Sequence, residues 1–320
     1  MIWIAVDAMG GDEAPRNIVD GALAAVRHFD LGVLLVGRGA EIDAELARHE
    51  SEEGDVDRGR VRIVDTPDVV GMEESPAVAL RRKPASSIKV AAETVARGEA
   101  SALVSAGHTG ATVMAAHSAF GMLPGVDRPA LAAVIPTRTR PALLLDVGAS
   151  VECRPPHLLQ FAVMGSMFAR VVYDIESPRI GLLSIGHEET KGNELTREAH
   201  RLLKASLPSF IGNVEARDVY RGQADVIVCD GFTGNVALKI SEGLVDLIEG
   251  LLTTELSAIT AYSEHGGAPL LGVNGVAIVG HGRSSAKAVR NGVILAHRFA
   301  SERVIQRLEG EIAACAAPRP

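Results

Sequence analysis

The chain has 320 residues, 47% of them apolar and 22% charged, and a formal net charge of -8. This is enough chain for a sizeable core in one large or two small α/β domains, and its composition excludes a disordered polymer. The acidic balance argues against broad nucleic-acid binding, which needs a cationic face to displace counterions.

Buried-strand patterns alternate with helical ones along the chain. Trp3 to Gly11 reads as a strand running into two glycines, followed by a helix from Ala14 to Phe29. Val33 to Gly37 and Val61 to Asp65 read as strands, and the charge-dense interval 41–59 between them as an exposed helix and loop. A helix over Ile88 to Arg97, a strand over Ala102 to Gly107 and a helix over Ala111 to Phe120 follow. Leu131 to Pro136 and Ala142 to Gly148 are separated only by Thr-Arg-Thr-Arg-Pro, which predicts an antiparallel hairpin. Then come a helix over His157 to Tyr173, a strand over Ile180 to Gly186, a helix over Glu194 to Ala205 and a strand over Asp225 to Gly231. A helix over Ala237 to Thr254, a strand over Val276 to Gly280 and one long helix over Ser284 to Glu311 complete the series. Continuous Val/Ile-rich runs indicate strands buried on both faces, and the alternation indicates a mostly parallel sheet between helix layers. The expectation is a single α/β/α domain over residues 1–320, with two lobes around a cleft as a variant of it.

In such sheets ligands bind beyond the carboxyl ends of the strands. Asp7-Ala8-Met9-Gly10-Gly11-Asp12 allows close backbone approach to a ligand, with Asp7 and Asp12 orienting donors or a cation; equally, it is a turn in which Asp12 caps the next helix. Ser105-Ala106-Gly107-His108-Thr109-Gly110 precedes a helix and suits a phosphate or carboxylate, or else is a tightly packed turn. Lys191-Gly192-Asn193-Glu194 offers a cation to phosphate or to a developing oxyanion, against the common reading of a solvated surface lysine. Asp230-Gly231-Phe232-Thr233-Gly234-Asn235 repeats the strand-to-helix logic, with Asp230, Thr233, Gly234 and Asn235 as ligand contacts. His281, in Gly280-His281-Gly282-Arg283-Ser284-Ser285, is either a proton shuttle or a structural histidine.

There is no Gly-x-Ser-x-Gly elbow, no His-Glu-x-x-His and no clustered Cys/His set, so neither a serine hydrolase nor a zinc site is expected. The three cysteines, Cys153, Cys229 and Cys315, have no metal-like spacing and suggest a reduced, cytoplasmic setting. The opening MIWIAVDAMGGD lacks the basic region of a signal peptide, and no apolar run approaches the roughly 18 residues of a membrane span.

The runs AVDAMGGD, SAGHTGA, RPALAAVIPT, LLDVGASVECRPPHLLQFAVMGS, RIGLLSIGHEETKGNELT, FIGNVEARD, ADVIVCDGFTGNVALK and GGAPLLGVNG, in this order over most of the chain, resemble the bacterial phosphate acyltransferase family of the PlsX type. The resemblance implies a three-layer α/β/α fold similar to isocitrate and isopropylmalate dehydrogenases, and a homodimer. It implies transfer of a long-chain acyl group from acyl carrier protein to inorganic phosphate in phospholipid synthesis. The acyl phosphate would pass to a glycerol-3-phosphate acyltransferase, and no cofactor or metal is expected. A phosphotransacylase using coenzyme A thioesters is the nearest alternative. Family members usually carry Asn where this chain has His108, and often where it has Ser150. They also carry a longer amphipathic arm where Val236 to His265 stands here, so any peripheral membrane contact at the inner face is expected to be weak. The series Leu244, Leu247, Ile248, Leu251 and Leu252 is then expected in dimer or core packing. For the chemistry, Ser105 to Gly110 and Thr233 to Asn235 are the expected phosphate holders. Lys191 would share that task or polarise the carbonyl, Asn193 and Asn235 would donate to the oxyanion, and His281 would protonate the leaving thiolate. Arg81-Arg82-Lys83 is the densest cationic cluster and the expected contact for the acidic carrier, against the reading of a solvated turn.

Overall fold

The structure is a computed structural model that describes residues 1–251 and 266–316, without the side chains of 246, 248–251 and 313–316. The chain packs as two compact units, Met1–Gly121 with Ser263–Ile305 (unit 1) and Met122–Tyr262 with Gln306–Pro320 (unit 2).

Unit 1 contains β1 (Ile2–Asp7), α1 (Arg16–His28), β2 (Leu31–Gly37), α2 (Gly39–Glu53), β3 (Val61–Asp65), α3 (Pro76–Arg82), α4 (Ser87–Ala96), β4 (Ala102–Ser105) and α5 (Thr109–Phe120). The chain returns to it with β10 (Ala268–Leu271), β11 (Val276–Val279) and α9 (Ala286–Ser301). Its strands run in the order β3-β2-β1-β4-β11-β10, parallel except for the antiparallel pair β10–β11. Every residue of β2 is buried, which is why this strand shows an unbroken apolar run rather than alternation. Helices α1 and α9 pack together against β1, and α4 lies on β1, β2 and β4 beside α5. Sheet and flanking helices make an α/β sandwich.

Unit 2 contains β5 (Ala130–Ile135), β6 (Ala142–Leu145), α6 (Pro155–Tyr173), β7 (Ile180–Ser184), α7 (Glu194–Ser206), β8 (Phe210–Glu215), a 3-10 turn (Ala216–Arg221), β9 (Val226–Val228) and α8 (Gly231–Leu251). Its strands run β5-β6-β9-β7-β8. The predicted hairpin is present: β5 and β6 pair antiparallel, and the other neighbours pair parallel. At the amino edge of β9, buried Asp225 accepts from Arg179 N at 2.8 Å, Arg179 Nη2 at 2.9 Å and Arg140 Nε at 2.8 Å. Those bonds hold its pKa down against the opposing effect of burial.

The long helix expected over Ser284 to Glu311 is two helices, α9 and α10 (Val304–Ala316), because Arg303 takes a left-handed φ of 52°. Strands β8 and β10 were not expected. The first has Gly212 and Asn213 at its centre, the second carries Pro269, and both residue types weaken a strand signal.

Candidate active site

Three of the expected loops come together in unit 1, since β1, β4 and β11 are adjacent and parallel and release their chains at one edge. Asp7 ends β1 at 2% exposure; its Oδ2 accepts from Ser105 Oγ at 2.7 Å and its Oδ1 from Met9 N at 3.3 Å. Burial raises the Asp7 pKa, opposed by the bonds from Ser87, Ser105 and Met9. Ser105 Oγ in turn accepts from Gly107 N at 3.1 Å. A Cβ on Gly10 would stand 2.6 Å from Asp7 Oδ2 and 2.7 Å from Gly107 N, so the two glycine turns cross in direct backbone contact. The third loop closes the group through Gly280 N to Ser105 O at 2.8 Å and Asp12 N to Gly282 O at 2.7 Å.

Several side chains here differ from their expected roles. Asp12 does not cap α1, whose N-cap is Pro15 without a side-chain bond, because the helix begins only at Arg16. His108 caps α5, its Nδ1 accepting from Ala111 N at 3.4 Å. Nδ1 of His281 accepts from Arg283 N at 3.2 Å. In a neutral ring an accepting Nδ1 places the proton on Nε2, so both histidines present an N–H donor. The first-turn amides of a helix lack intrahelical partners; with Ala111 capped, those of Thr109 and Gly110 head α5. Thr109 is exposed and Gly110 half-buried.

Unit 2 gathers its own cluster where β6, β9 and β7 end. Its centre is Asp146, a residue the sequence reading did not select. Fully buried, it accepts at Oδ1 from Leu131 N (2.8 Å), Gly148 N (3.0 Å) and Ala149 N (2.9 Å), and at Oδ2 from Ser150 N (2.6 Å). Burial still outweighs these bonds and lifts its pKa to about 6. The signal for it was in Asp-Val-Gly-Ala-Ser: a carboxylate leaving a buried strand before small residues can collect their amides. The next loop is locked on: Gly231 N donates to Ser150 O at 2.9 Å, and a Cβ on Gly234 would lie 1.9 Å from Asp146 O. The Asn235 side chain lies beside Gly148.

At the start of α8, Thr233 N and Thr233 Oγ both donate to Asp230, at 2.9 and 2.7 Å. Here the expectation of Thr233 as an anion donor meets a carboxylate already in place, and Asp230 acts as the helix cap. Asn193 caps α7, its Oδ1 accepting from Thr196 N at 2.9 Å. Lys191 is exposed, with its stem over Gly186. Of the cationic cluster, Arg81 and Arg82 are exposed at the end of α3, whereas Lys83 is held by Glu74 and by Val69 O at 2.8 Å. Arg81 lines a groove with Leu80, Lys89, Arg97 and Met114. Cys229 is buried, with its thiol pKa pushed up by desolvation, as an inert core thiol should be.

A family model described as "Fatty acid synthesis protein" matches residues 2–307. The phosphate acyltransferase of Pelotomaculum thermopropionicum is 47% identical over 329 residues, covering 97% of this chain and 94% of that protein. The chain belongs to the phosphate acyltransferase family. A second relative, the phosphate acyltransferase of Nitratidesulfovibrio vulgaris strain Hildenborough, is 47% identical with 95% of this chain and 94% of that protein covered. As a member of this family the chain is an acyltransferase enzyme. Among solved structures, a phosphotransacetylase from Streptococcus pyogenes aligns with a TM-score of 0.68 at 19% identity, covering 94% of each chain. A 4-hydroxythreonine-4-phosphate dehydrogenase from Klebsiella pneumoniae aligns with a TM-score of 0.55 at 14% identity, covering 93% of this chain and 99% of that one. These likenesses bear out the α/β sandwich with phosphotransacylase- and dehydrogenase-like relatives in shape. No helix among the described residues is long and apolar enough to cross a membrane.

Proposed function

We propose that this acyltransferase takes a long-chain acyl group from an acyl carrier protein thioester and gives it to inorganic phosphate. The products are an acyl phosphate and the free carrier thiol, with the acyl phosphate consumed by a glycerol-3-phosphate acyltransferase. The observation that carries the phosphate half is the interlocked set of strand-end loops in unit 1. The α5 amino terminus with its Thr109 and Gly110 amides, and the Nε2–H donors of His108 and His281, suit an anion there.

Phosphate is largely dianionic near neutral pH and attacks the thioester carbonyl without a strong base. The C–O bond forms, the C–S bond breaks, and the thiolate takes a proton as it leaves; His281 is proposed as that donor in its imidazolium form, with Nδ1 then released from Arg283 N. The protein's task is to hold phosphate and stabilise the oxyanion, and one well-placed donor contributes roughly 3 kcal/mol to that. Lys191, Asn193 and Asn235 are proposed as such donors on chemical grounds. Arg81 and Arg82 are proposed to steer the acidic carrier.

A homodimer is proposed through α8. Its exposed Phe232, Val236, Ile240, Leu244 and Leu247 follow one another at helical spacing, and Leu244 and Leu247 are 50% and 59% exposed. That exposure rules out the expected core packing for these two within the chain; Ile248, Leu251 and Leu252 lie outside the described side chains. A cytoplasmic protein with weak peripheral membrane contact is part of the same proposal.

The test is a donor comparison with phosphate as acceptor, trapping acyl phosphate with hydroxylamine. Carrier-linked acyl groups should be used at least about tenfold better in kcat/KM than coenzyme A esters. A preference for coenzyme A would replace the carrier reading with the phosphotransacylase one.

A further inference from the structure

At the carboxyl edge of unit 2's sheet, His187 follows β7, Glu215 ends β8 and Asp218 lies in the 3-10 turn Ala216–Arg221. We propose that these three side chains bind a single divalent transition-metal ion of the zinc or manganese class. Nε2 of His187 lies 3.1 Å from Asp218 Oδ2 and 3.6 Å from Glu215 Oε1, and the three ligand atoms fall within 4.8 Å of one another. Atoms that each sit about 2.1 Å from a zinc ion stand roughly 3 to 4 Å apart, which matches these separations.

The surroundings aim the ligands inward. Arg221 Nη1 takes Asp218 Oδ1 at 2.7 Å and Arg217 Nε takes Glu215 Oε2 at 2.8 Å. Each arginine thus holds the outer oxygen and leaves the inner one facing the imidazole. Asp218 is 1% exposed, yet neither of its oxygens has a hydrogen bond of normal geometry. The Arg221 contact is close but off-axis, so it balances charge without satisfying the lone pairs. A buried carboxylate oxygen in that condition is costly unless a cation meets it.

Backbone geometry sets the imidazole. Nδ1 of His187 lies 3.2 Å from Asn213 O. A carbonyl only accepts, so Nδ1 carries the proton, and in the neutral ring Nε2 turns a lone pair on two carboxylate oxygens. Three electron-rich atoms facing one another repel, and a cation between them, a proton on Nε2 or the proposed metal ion, relieves the conflict. A carbonyl that orients a metal-binding imidazole is the usual outer support of such sites. Asn213 is itself fixed, its Oδ1 against His200 Nδ1 at 2.8 Å and its Nδ2 donating to Glu188 O at 2.9 Å. One imidazole and two carboxylates favour zinc, manganese or iron over magnesium and calcium, which prefer all-oxygen sites. The ion would tie the loop carrying Lys191 to β8. The absence of a linear zinc motif is no obstacle, since the ligands come from separate elements.

The test is equilibrium dialysis of the chelator-treated full chain against zinc ion alone, with bound metal measured by emission spectroscopy. One zinc per chain is expected. His187→Ala, at a half-exposed position, should keep the fold by circular dichroism and weaken binding by about tenfold or more. Cys153→Ser should leave both stoichiometry and affinity unchanged. With cobalt as the probe, visible absorption bands should appear in the parent chain and be lost in His187→Ala. Equal zinc affinity in His187→Ala, loss of binding in Cys153→Ser, or no retention by the parent chain would each overturn the site. Acyl transfer is not the readout, so failure here leaves the proposed reaction standing.

Discussion

Asp7 and Asp146 occupy equivalent chemical positions in the two units, each a buried carboxylate where a strand gives way to a glycine turn, yet they are held differently. The first takes hydroxyls from Ser105, 98 positions away, and from Ser87, with one long amide bond. Asp146 instead collects amides from Leu131 and from its own loop, Gly148 to Ser150. A carboxylate bonded by amides of its own turn sets the shape of that turn, whereas one bonded by a distant hydroxyl ties two strands into one edge. The unit 1 loops are therefore assembled by tertiary structure and the unit 2 loop largely by local sequence. Both acids share one cost: burial raises their pKa values.

The largest effect that could break this comparison is steric. Gly234→Ala puts a methyl 1.9 Å from Asp146 O, and Gly10→Ala puts one 2.6 Å from Asp7 Oδ2. Each should lower unfolding free energy by about 3 kcal/mol in chemical denaturation. If the unit 1 loops depend on tertiary contacts, Gly10→Ala should also loosen Ser105 and Gly280, read as faster amide exchange there.

Next comes pH. Burial lifts the native pKa of Asp146 to about 6, above the ordinary carboxylate value of 3.8. Between about pH 4 and 6 the folded state then binds more protons than the unfolded chain, and this group's contribution falls as pH rises. Two pKa units correspond to about 3 kcal/mol. Stability of Asp146→Asn relative to the parent should therefore improve by about that amount from pH 4 to pH 7. Asp7→Asn should move in the same direction. A flat difference for Asp146→Asn would mean that the amides fully offset burial.

Lys191→Ala is expected to lower kcat about 100-fold, the roughly 3 kcal/mol of one oriented donor, with an unchanged melting temperature; unaltered kinetics would remove Lys191 from the chemistry. On α8, Leu244→Glu should shift the chain from dimer to monomer in analytical ultracentrifugation. Carrier affinity should weaken about tenfold in Arg81→Glu and in raised salt, as for a rim charge. The smallest effect is the control. Gly243, inside α8 with open space around it, should accept alanine with a gain of about 0.5 to 1 kcal/mol.

Much of the fold was legible because strands buried on both faces leave continuous Val, Ile and Leu runs, as in β2 and β6. The hairpin β5–β6 was legible from the shortness of its link. Less legible were β8 and β10, where Gly212, Asn213 and Pro269 dilute the strand pattern, and the break at Arg303, which depends on one residue's φ. At the site, each glycine-rich strand end was readable as a ligand-binding turn, but not how those turns divide between the two units. What sequence could not convey was which side chains were already engaged: Thr233 by Asp230, Lys83 by Glu74. Asp146 looked like an ordinary strand-end residue because its partners are backbone amides, which carry no residue identity. His187, Glu215 and Asp218 were invisible as a set because β8 and a 3-10 turn bring them to the end of β7.

One topological detail bears on how the protein is made. Strand β11 pairs with β4 across a separation of more than half the chain, and the His281 loop follows it. During synthesis β4 must therefore wait as an open edge while the Met122–Tyr262 part of unit 2 emerges, and exposed edges invite wrong partners. The loops proposed for phosphate are completed last, so a nascent chain holds an unfinished cradle until its final strands leave the ribosome. Truncation before residue 276 should leave insoluble material rather than a weakened enzyme.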